Sequence, residues 1–226
     1  MNSRLGVIGV PTSAGAFAPG KEQAPRALRD AGLVDFLTRP GVDVCDRGDC
    51  EPWRWRPDRE NRRAQNLGKV VEIARHTARR VRGAIAEHEV TLVLGGDCTV
   101  GIGTVAGHVA TDERVRLIYF DAHADLNVPA SVREGALDWM GLAHLLGEPG
   151  ASSELVGVGE RAPLLEAEQI LLFGWDLGRP PHSRARRQWN RALRHGRRRE
   201  PDRRSENSRQ RALIAHAFWC RRARRA

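Results

Sequence analysis

The feature that most limits what this chain can fold into is a pair of short apolar runs, each ended by a sharp change of character. Residues 91–94 (Thr-Leu-Val-Leu) lead into Gly95-Gly96, and residues 115–120, apolar except at Arg116, lead into Asp121. Between them residues 101–110 read as a helix. Continuous apolar runs in the order strand, helix, strand predict a parallel sheet covered on both faces rather than a sheet with one wet side. In such sheets function gathers where the strands reach their carboxyl ends.

The same logic places further elements. Residues 5–10 (Leu-Gly-Val-Ile-Gly-Val) form a buried strand closed by Pro11, and residues 24–31 a short helix with Pro25 in its first turn, where a missing N–H does no harm. A second short strand is expected at 42–45, a loop at 51–63, and a long amphipathic helix at 65–89, whose apolar stripe is Val70, Ile73, Ala74, Ala78, Val81 and Ile85. Residues 139–146 read as a helix and residues 170–176 as another strand, ending at Asp176.

Charge divides the chain. Its 226 residues carry a net +9, yet residues 179–226 hold 17 Arg, no Lys and only Glu200, Asp202 and Glu206, a net +14 that leaves −5 for the rest. A mildly acidic body of residues 1–178, one α/β domain, is thus followed by a very basic tail, 179–226, and the whole-chain charge says nothing about what the body binds. Too poor in apolar residues to form a core, the tail is expected to be disordered or marginally helical. Its abrupt onset and Arg-only basicity read as a shifted reading frame in a GC-rich gene; resequencing that gives a clean sequence with no Asp-x-Asp in either alternative frame would remove that reading. The four cysteines, Cys45, Cys50, Cys98 and Cys220, form neither a CxxC pair nor a disulfide scaffold, which suits a reducing compartment. The apolar run near the N-terminus is too short for a signal-peptide core and no stretch approaches a membrane span, so the expected address is the cytoplasm, with no membrane partner.

The chemistry-bearing residues sit at the two strand ends. Phe120-Asp121-Ala122-His123-Ala124-Asp125-Leu126-Asn127 places two carboxylates and an imidazole at alternate positions. An extended chain would point Asp121, His123 and Asp125 to one side, as hard or borderline ligands suited to Mn, Zn or Fe(II). The plain alternative is a solvated loop with a cap. The other strand end, Gly95-Gly96-Asp97-Cys98-Thr99, supports the metal reading, because paired glycines let the backbone turn tightly and present the next side chains at the sheet edge.

Together these two motifs resemble the first two metal-binding motifs of the ureohydrolase family (arginase, agmatinase, formiminoglutamase). Ile8-Gly9-Val10-Pro11, Gly20 and Ala24-Pro25-Arg26-Ala27-Leu28-Arg29 are similar to that family's opening. The resemblance implies a three-layer α/β/α sandwich around a mainly parallel sheet, incomplete here at the C-terminus, with two Mn ions bridged by hydroxide. It implies hydrolysis of a carbon–nitrogen bond in a small linear amidine or guanidine. It also implies assembly with further copies of the chain, since the family forms trimers and hexamers. By the same correspondence Asp121 bridges the ions and His123 binds one; Asp125 binds the other and steers the hydroxide; Asn127 meets the far end of the substrate. Asp97 is a family position that reads here as a brace for the Gly-Gly turn.

The chain departs from the family pattern in three places. Cys98 stands where a metal-binding His is usual, and is either a soft ligand that shifts preference toward Zn or Fe, or a small buried residue. Asp138 falls at the position of the proton-shuttling His of arginases and is the candidate proton donor, His144 lying too far along the chain to replace it. The closing Asp-x-Asp motif is absent, and Asp176, alone at a strand end, reads as a cap. The leading expectation is a metal-dependent amidine or guanidine hydrolase, impaired by these changes. The alternatives are a catalytically inactive relative kept for assembly, and a nucleic-acid-binding protein acting through the Arg-rich tail, against which stands the absence of any recognised module.

Overall fold

A computed structural model of the chain describes residues 3–38, 40–87, 89–112, 114–174 and 213–217. The chain divides into two units, residues 1–113 with 125–164, and residues 114–124 with 165–226.

The first unit is built on a three-stranded sheet. Strand β1 (Ser3–Val10) lies between β2 (Val42–Asp49) and β3 (Glu89–Gly95), parallel to both. Parallel neighbours need a covering crossover. The helices α1 (Ala24–Asp30) and α2 (Leu33–Leu37) lie between β1 and β2, and α3 (Leu67–Ala86) lies between β2 and β3. Val7, Ile8 and Val10 are all buried, so successive residues of β1 are covered on both faces, as its unbroken apolar run predicts. Ile8 and Val10 pack with Val81 and Ala84 of α3 and with Val100 at the start of α4 (Val100–Val109). The two helices approach closely because α4 offers glycine at the contact: a Cβ on Gly103 would lie 2.4 Å from the Ala74 carbonyl oxygen. The register pairs Val10 with Gly95, so β1 and β3 end level, and their outgoing loops start side by side.

Two features of this unit differ from the sequence reading, the length of β2 and the helix at 139–146, while the loop at 51–63 agrees with it. Strand β2 runs four residues past 45, through Asp46, Arg47, Gly48 and Asp49. As an edge strand it needs no apolar alternation there, and Arg29 of α1 bridges Asp46 and Asp49 at 2.8 and 2.5 Å. The loop at 51–63 is fastened rather than loose: Trp53 exchanges backbone hydrogen bonds with Pro11 and Ser13, and the Trp55 N–H donates to Ser13 Oγ. The helix expected at 139–146 is instead a 3₁₀ turn, Leu137–Trp139, followed by α5 (Gly141–Leu145). There the Trp139 carbonyl accepts the Asn127 side-chain N–H. A short α6 (Ser153–Val156) completes the unit.

In the second unit β4 (Arg116–Phe120) lies between β5 (Ile170–Phe173) and β6 (Leu213–Ala217), again parallel to both. Leu117, Tyr119 and Ile170 are buried, while Phe120, Leu171 and Phe173 remain exposed, the two rings stacked 5.2 Å apart. The strand expected at 170–176 stops at Phe173, because Gly174 turns away with φ 82°. Of the basic tail, only Leu213–Ala217 is described, as a strand; the expectations for the rest of the tail, for Asp176 and for Cys220 lie outside the described residues. Among the described residues no helix is long and apolar enough to cross a membrane.

Candidate metal centre

The turn after β3 is fixed by its backbone. A Cβ on Gly96 would lie 1.8 Å from the Thr12 carbonyl oxygen, so only glycine lets this turn press against the loop leaving β1. The next N–H, that of Asp97, donates to the same carbonyl at 3.0 Å. Asp97 is fully buried and both its oxygens are engaged: Oδ1 accepts the Thr99 N–H (2.9 Å) and hydroxyl (2.5 Å), and Oδ2 accepts the Gly15 N–H (2.9 Å). These bonds make Asp97 the brace of the turn. Burial nevertheless pushes its carboxyl up from the ordinary range, with the hydrogen bonds from Thr99 and Gly15 opposing.

That brace leaves Cys98 at the tip of the turn, immediately before α4. Its Sγ and a carboxylate oxygen of Asp125 lie within 4.8 Å of each other. Asp125 is buried, and its carbonyl accepts the Ala143 N–H of α5 at 3.2 Å. Burial drives the Cys98 thiol well above its ordinary value, and the carboxylates of Asp125, Asp138 and Asp97 push it further, with Lys21 opposing them. The Cys98 thiol thus has three carboxyl groups and the Lys21 ammonium among its charged neighbours. A cation held between Cys98 and Asp125 would offset the negative charge there, and a sulfur-plus-carboxylate donor set suits Zn or Fe(II).

Asp138 is 1% exposed, on the 3₁₀ turn whose first N–H bonds return to the loop after β1: its own N–H donates to the Gly15 carbonyl at 3.0 Å. Its Oδ2 lies 2.5 Å from the Lys21 ammonium, and its Oδ1 has no hydrogen-bond partner among the described residues. Burial pushes the Asp138 carboxyl up to about 6, with Lys21 limiting the rise. For Lys21 itself burial works against the charge, but Asp138 outweighs it and the ammonium is held above its ordinary value. Lys21 carries no signal in the sequence: it opens a single 3₁₀ turn, Lys21–Gln23, 117 residues from its partner. Asn127 turns its amide inward, Nδ2 donating to the Trp139 carbonyl at 3.1 Å and Oδ1 accepting the Ser131 hydroxyl at 3.4 Å. Trp139 packs against Phe17, ring centroids 5.7 Å apart.

In the second unit β4 ends at Phe120, and the Asp121 N–H extends the ladder to the Phe173 carbonyl at 3.1 Å. Here the extended geometry expected for 121–125 gives way to a bend. Asp121 Oδ1 accepts the His123 backbone N–H at 2.8 Å and lies 3.2 Å from its Nδ1, closing a side-chain turn. Asp125, two residues on, has φ 43°, a left-handed conformation that no strand contains. Simple alternation therefore does not describe how these three side chains point. The Asp121 carboxylate is buried, whereas the His123 side chain is 51% exposed.

The chain is similar to known proteins along most of its length. The sequence model described as the arginase family matches residues 3–176. The arginase of Brevibacillus brevis is 33% identical over 174 residues, which is 77% of this chain and 58% of that protein. Human arginase-1 is 32% identical over 172 residues, 75% of this chain and 53% of that protein. The crystal structure of the Bacillus subtilis arginase superposes with a TM-score of 0.72 at 29% identity, covering 85% of this chain and 62% of the other. The chain thus spans a little over half the length of the curated relatives it matches.

Proposed function

This chain belongs to the arginase family, and from that premise we propose that it is a metal-dependent hydrolase of a carbon–nitrogen bond in a small linear amidine or guanidine. The observation that carries the reading is the Cys98 thiol beside the buried carboxylate of Asp125 at the turn after β3, their ligand atoms within 4.8 Å of each other, with the buried carboxyls of Asp97 and Asp138 as further charged neighbours. In the proposal, Cys98 and Asp125 hold metal together with Asp121 and His123 from the turn after β4. Zn and Fe compete with the two Mn ions expected of the family. Bound metal would lower the pKa of a water molecule enough to have hydroxide at hand near neutral pH.

The remaining steps fall to the chain's own groups. Asp125 steers the attacking oxygen, and Asp138 passes a proton to the departing nitrogen as the carbon–nitrogen bond breaks. A carboxyl near 6 suits that task, because both protonation states are accessible near neutrality. Asn127 borders the far end of the substrate. Residues 1–178 make up the arginase-like part in this reading and 179–226 a tail outside it. The protein works in the cytoplasm, where free thiols such as Cys45, Cys50 and Cys98 persist, and self-association is part of the same proposal.

The test combines metal analysis with a substrate screen. The purified full chain should retain Zn, Fe or Mn, or take one up on titration, and should release product from arginine, agmatine, 4-guanidinobutanoate or formiminoglutamate. Metal without turnover of any of these would favour the catalytically inactive reading, which the replacement of two expected histidines by Cys98 and Asp138 supports. Failure to take up any metal would reject the site.

A further inference from the structure

Asp97 and Asp138 are both buried carboxylates of the first unit, but they are treated differently. Asp97 has hydrogen bonds on both oxygens, three in all, from Gly15 and Thr99. Asp138 has only the Lys21 ammonium on Oδ2 and nothing on Oδ1. A buried acceptor without a partner is costly, and native proteins seldom keep one without a use. The ion pair holds the carboxylate by Oδ2, 2.5 Å from Nζ, and leaves Oδ1 as the oxygen without a partner among the described residues. The ammonium is not matched to Asp138 alone, because the Cys98 thiol and Asp97 also act on it. The bare atom is therefore an acceptor in surroundings that still favour a cation.

We propose that Lys21 is a positioning residue of this site: its ammonium holds Asp138 by Oδ2 and thereby presents Oδ1 as the single acceptor for an N–H of an amidine or guanidine ligand. The proposal rests on the function proposed above and deepens it, since it names the oxygen that meets the ligand and the residue that fixes that oxygen. It also separates Lys21 from a merely structural ion pair, whose loss would change stability and leave ligand binding alone.

The experiment measures binding of guanidinium chloride, well below denaturing concentration, to the metal-loaded full chain by ligand-observed NMR. Metal content and thermal midpoint are recorded for every variant. Lys21→Met should weaken binding about tenfold or more, the worth of one charge-assisted contact, and Lys21→Arg should recover most of the loss. Asp138→Asn should weaken binding at least as much, and adding Lys21→Met to it should cause no further loss. Should Lys21→Met not fold, Lys21→Gln serves in its place. Wild-type protein that does not bind guanidinium, a Lys21 variant that binds like wild type with its metal intact, or strictly additive losses in the double variant would each overturn the proposal. Lys21-dependent binding without hydrolysis of any screened substrate would leave this proposal standing and remove the hydrolase reading instead.

Discussion

The turns after β3 and after β4 carry the two motifs of the site, and they are held in place by different means. The first is locked by contacts with distant parts of the chain: Gly96 has no room for a side chain beside Thr12, and Asp97 is bonded to Gly15 and Thr99. The second is anchored to its sheet by the Asp121 N–H at the Phe173 carbonyl and bent by Asp121 bonding His123 two residues on, with the His123 ring half in solvent. A turn packed without room for change supplies stability, while one whose ring reaches solvent leaves that side chain able to settle around what it binds. The first should therefore tolerate change poorly whether or not metal is present, and the second should matter mainly when metal is bound.

The largest expected effect is at the locked turn. Gly96→Ala forces a methyl into the Thr12 carbonyl and should cost more than about 4 kcal/mol, leaving the chain unfolded or insoluble. Folded, soluble Gly96→Ala protein with an unchanged urea midpoint would break the contrast at once. Asp97→Ala strands the buried N–H groups of Gly15 and Thr99 and should cost roughly 2–4 kcal/mol, visible as a lower midpoint in metal-free protein. At the second turn, His123→Ala should move the metal-free midpoint by less than about 0.5 kcal/mol, because half of the ring is already in water. It should nevertheless weaken retention of Zn or Mn in dialysis. A stability loss as large as that of Asp97→Ala would show that the second turn is structural too. Metal uptake itself should rise with pH, up to about tenfold per pH unit for a thiol proton displaced, since the Cys98 thiol sits above its ordinary value. Cys98→Ser should flatten that slope.

The smallest effect lies away from both turns. Hydrogen bonding from Arg29 holds the Asp46 carboxyl below its ordinary value. A carboxyl depressed in the folded state contributes stability above its unfolded value and loses it as pH falls through the folded one. Arg29→Met should therefore remove a small acid-side loss, under about 1 kcal/mol because Asp46 is about a third exposed, read as a shallower decline of the urea midpoint below pH 4.

The same contrast explains what could be read in the sequence. The strands were legible because a parallel sheet buried on both faces writes itself as unbroken apolar runs, and β1, β3 and β4 do so. The polar half of β2 was not, since an edge strand draws on its neighbour and on Arg29 rather than on its own pattern. Asp97 as a brace followed from the paired glycines before it. The bend at His123 did not follow, because alternation assumes an extended chain and Asp121 supplies a side-chain hydrogen bond that ends it. Lys21 was invisible, since a lone lysine is ordinarily solvated and nothing in its neighbourhood points 117 residues along the chain.

The peptide of Gly15 gives its N–H to Asp97 and accepts the N–H of Asp138, so one loop residue joins the turn after β3 to the 3₁₀ turn that carries Asp138. Those two links and the pair from Lys21 to Asp138 close sequence separations of 82, 123 and 117 residues. In folding terms this arrangement has high contact order: it cannot exist until the start and the middle of the chain have met, and it therefore forms with the β1–β3 pairing, which joins Arg4 to Glu89, rather than before it. Helix α3 can form as local structure ahead of that step, so helix in a nascent chain would come before the Lys21–Asp138 pair.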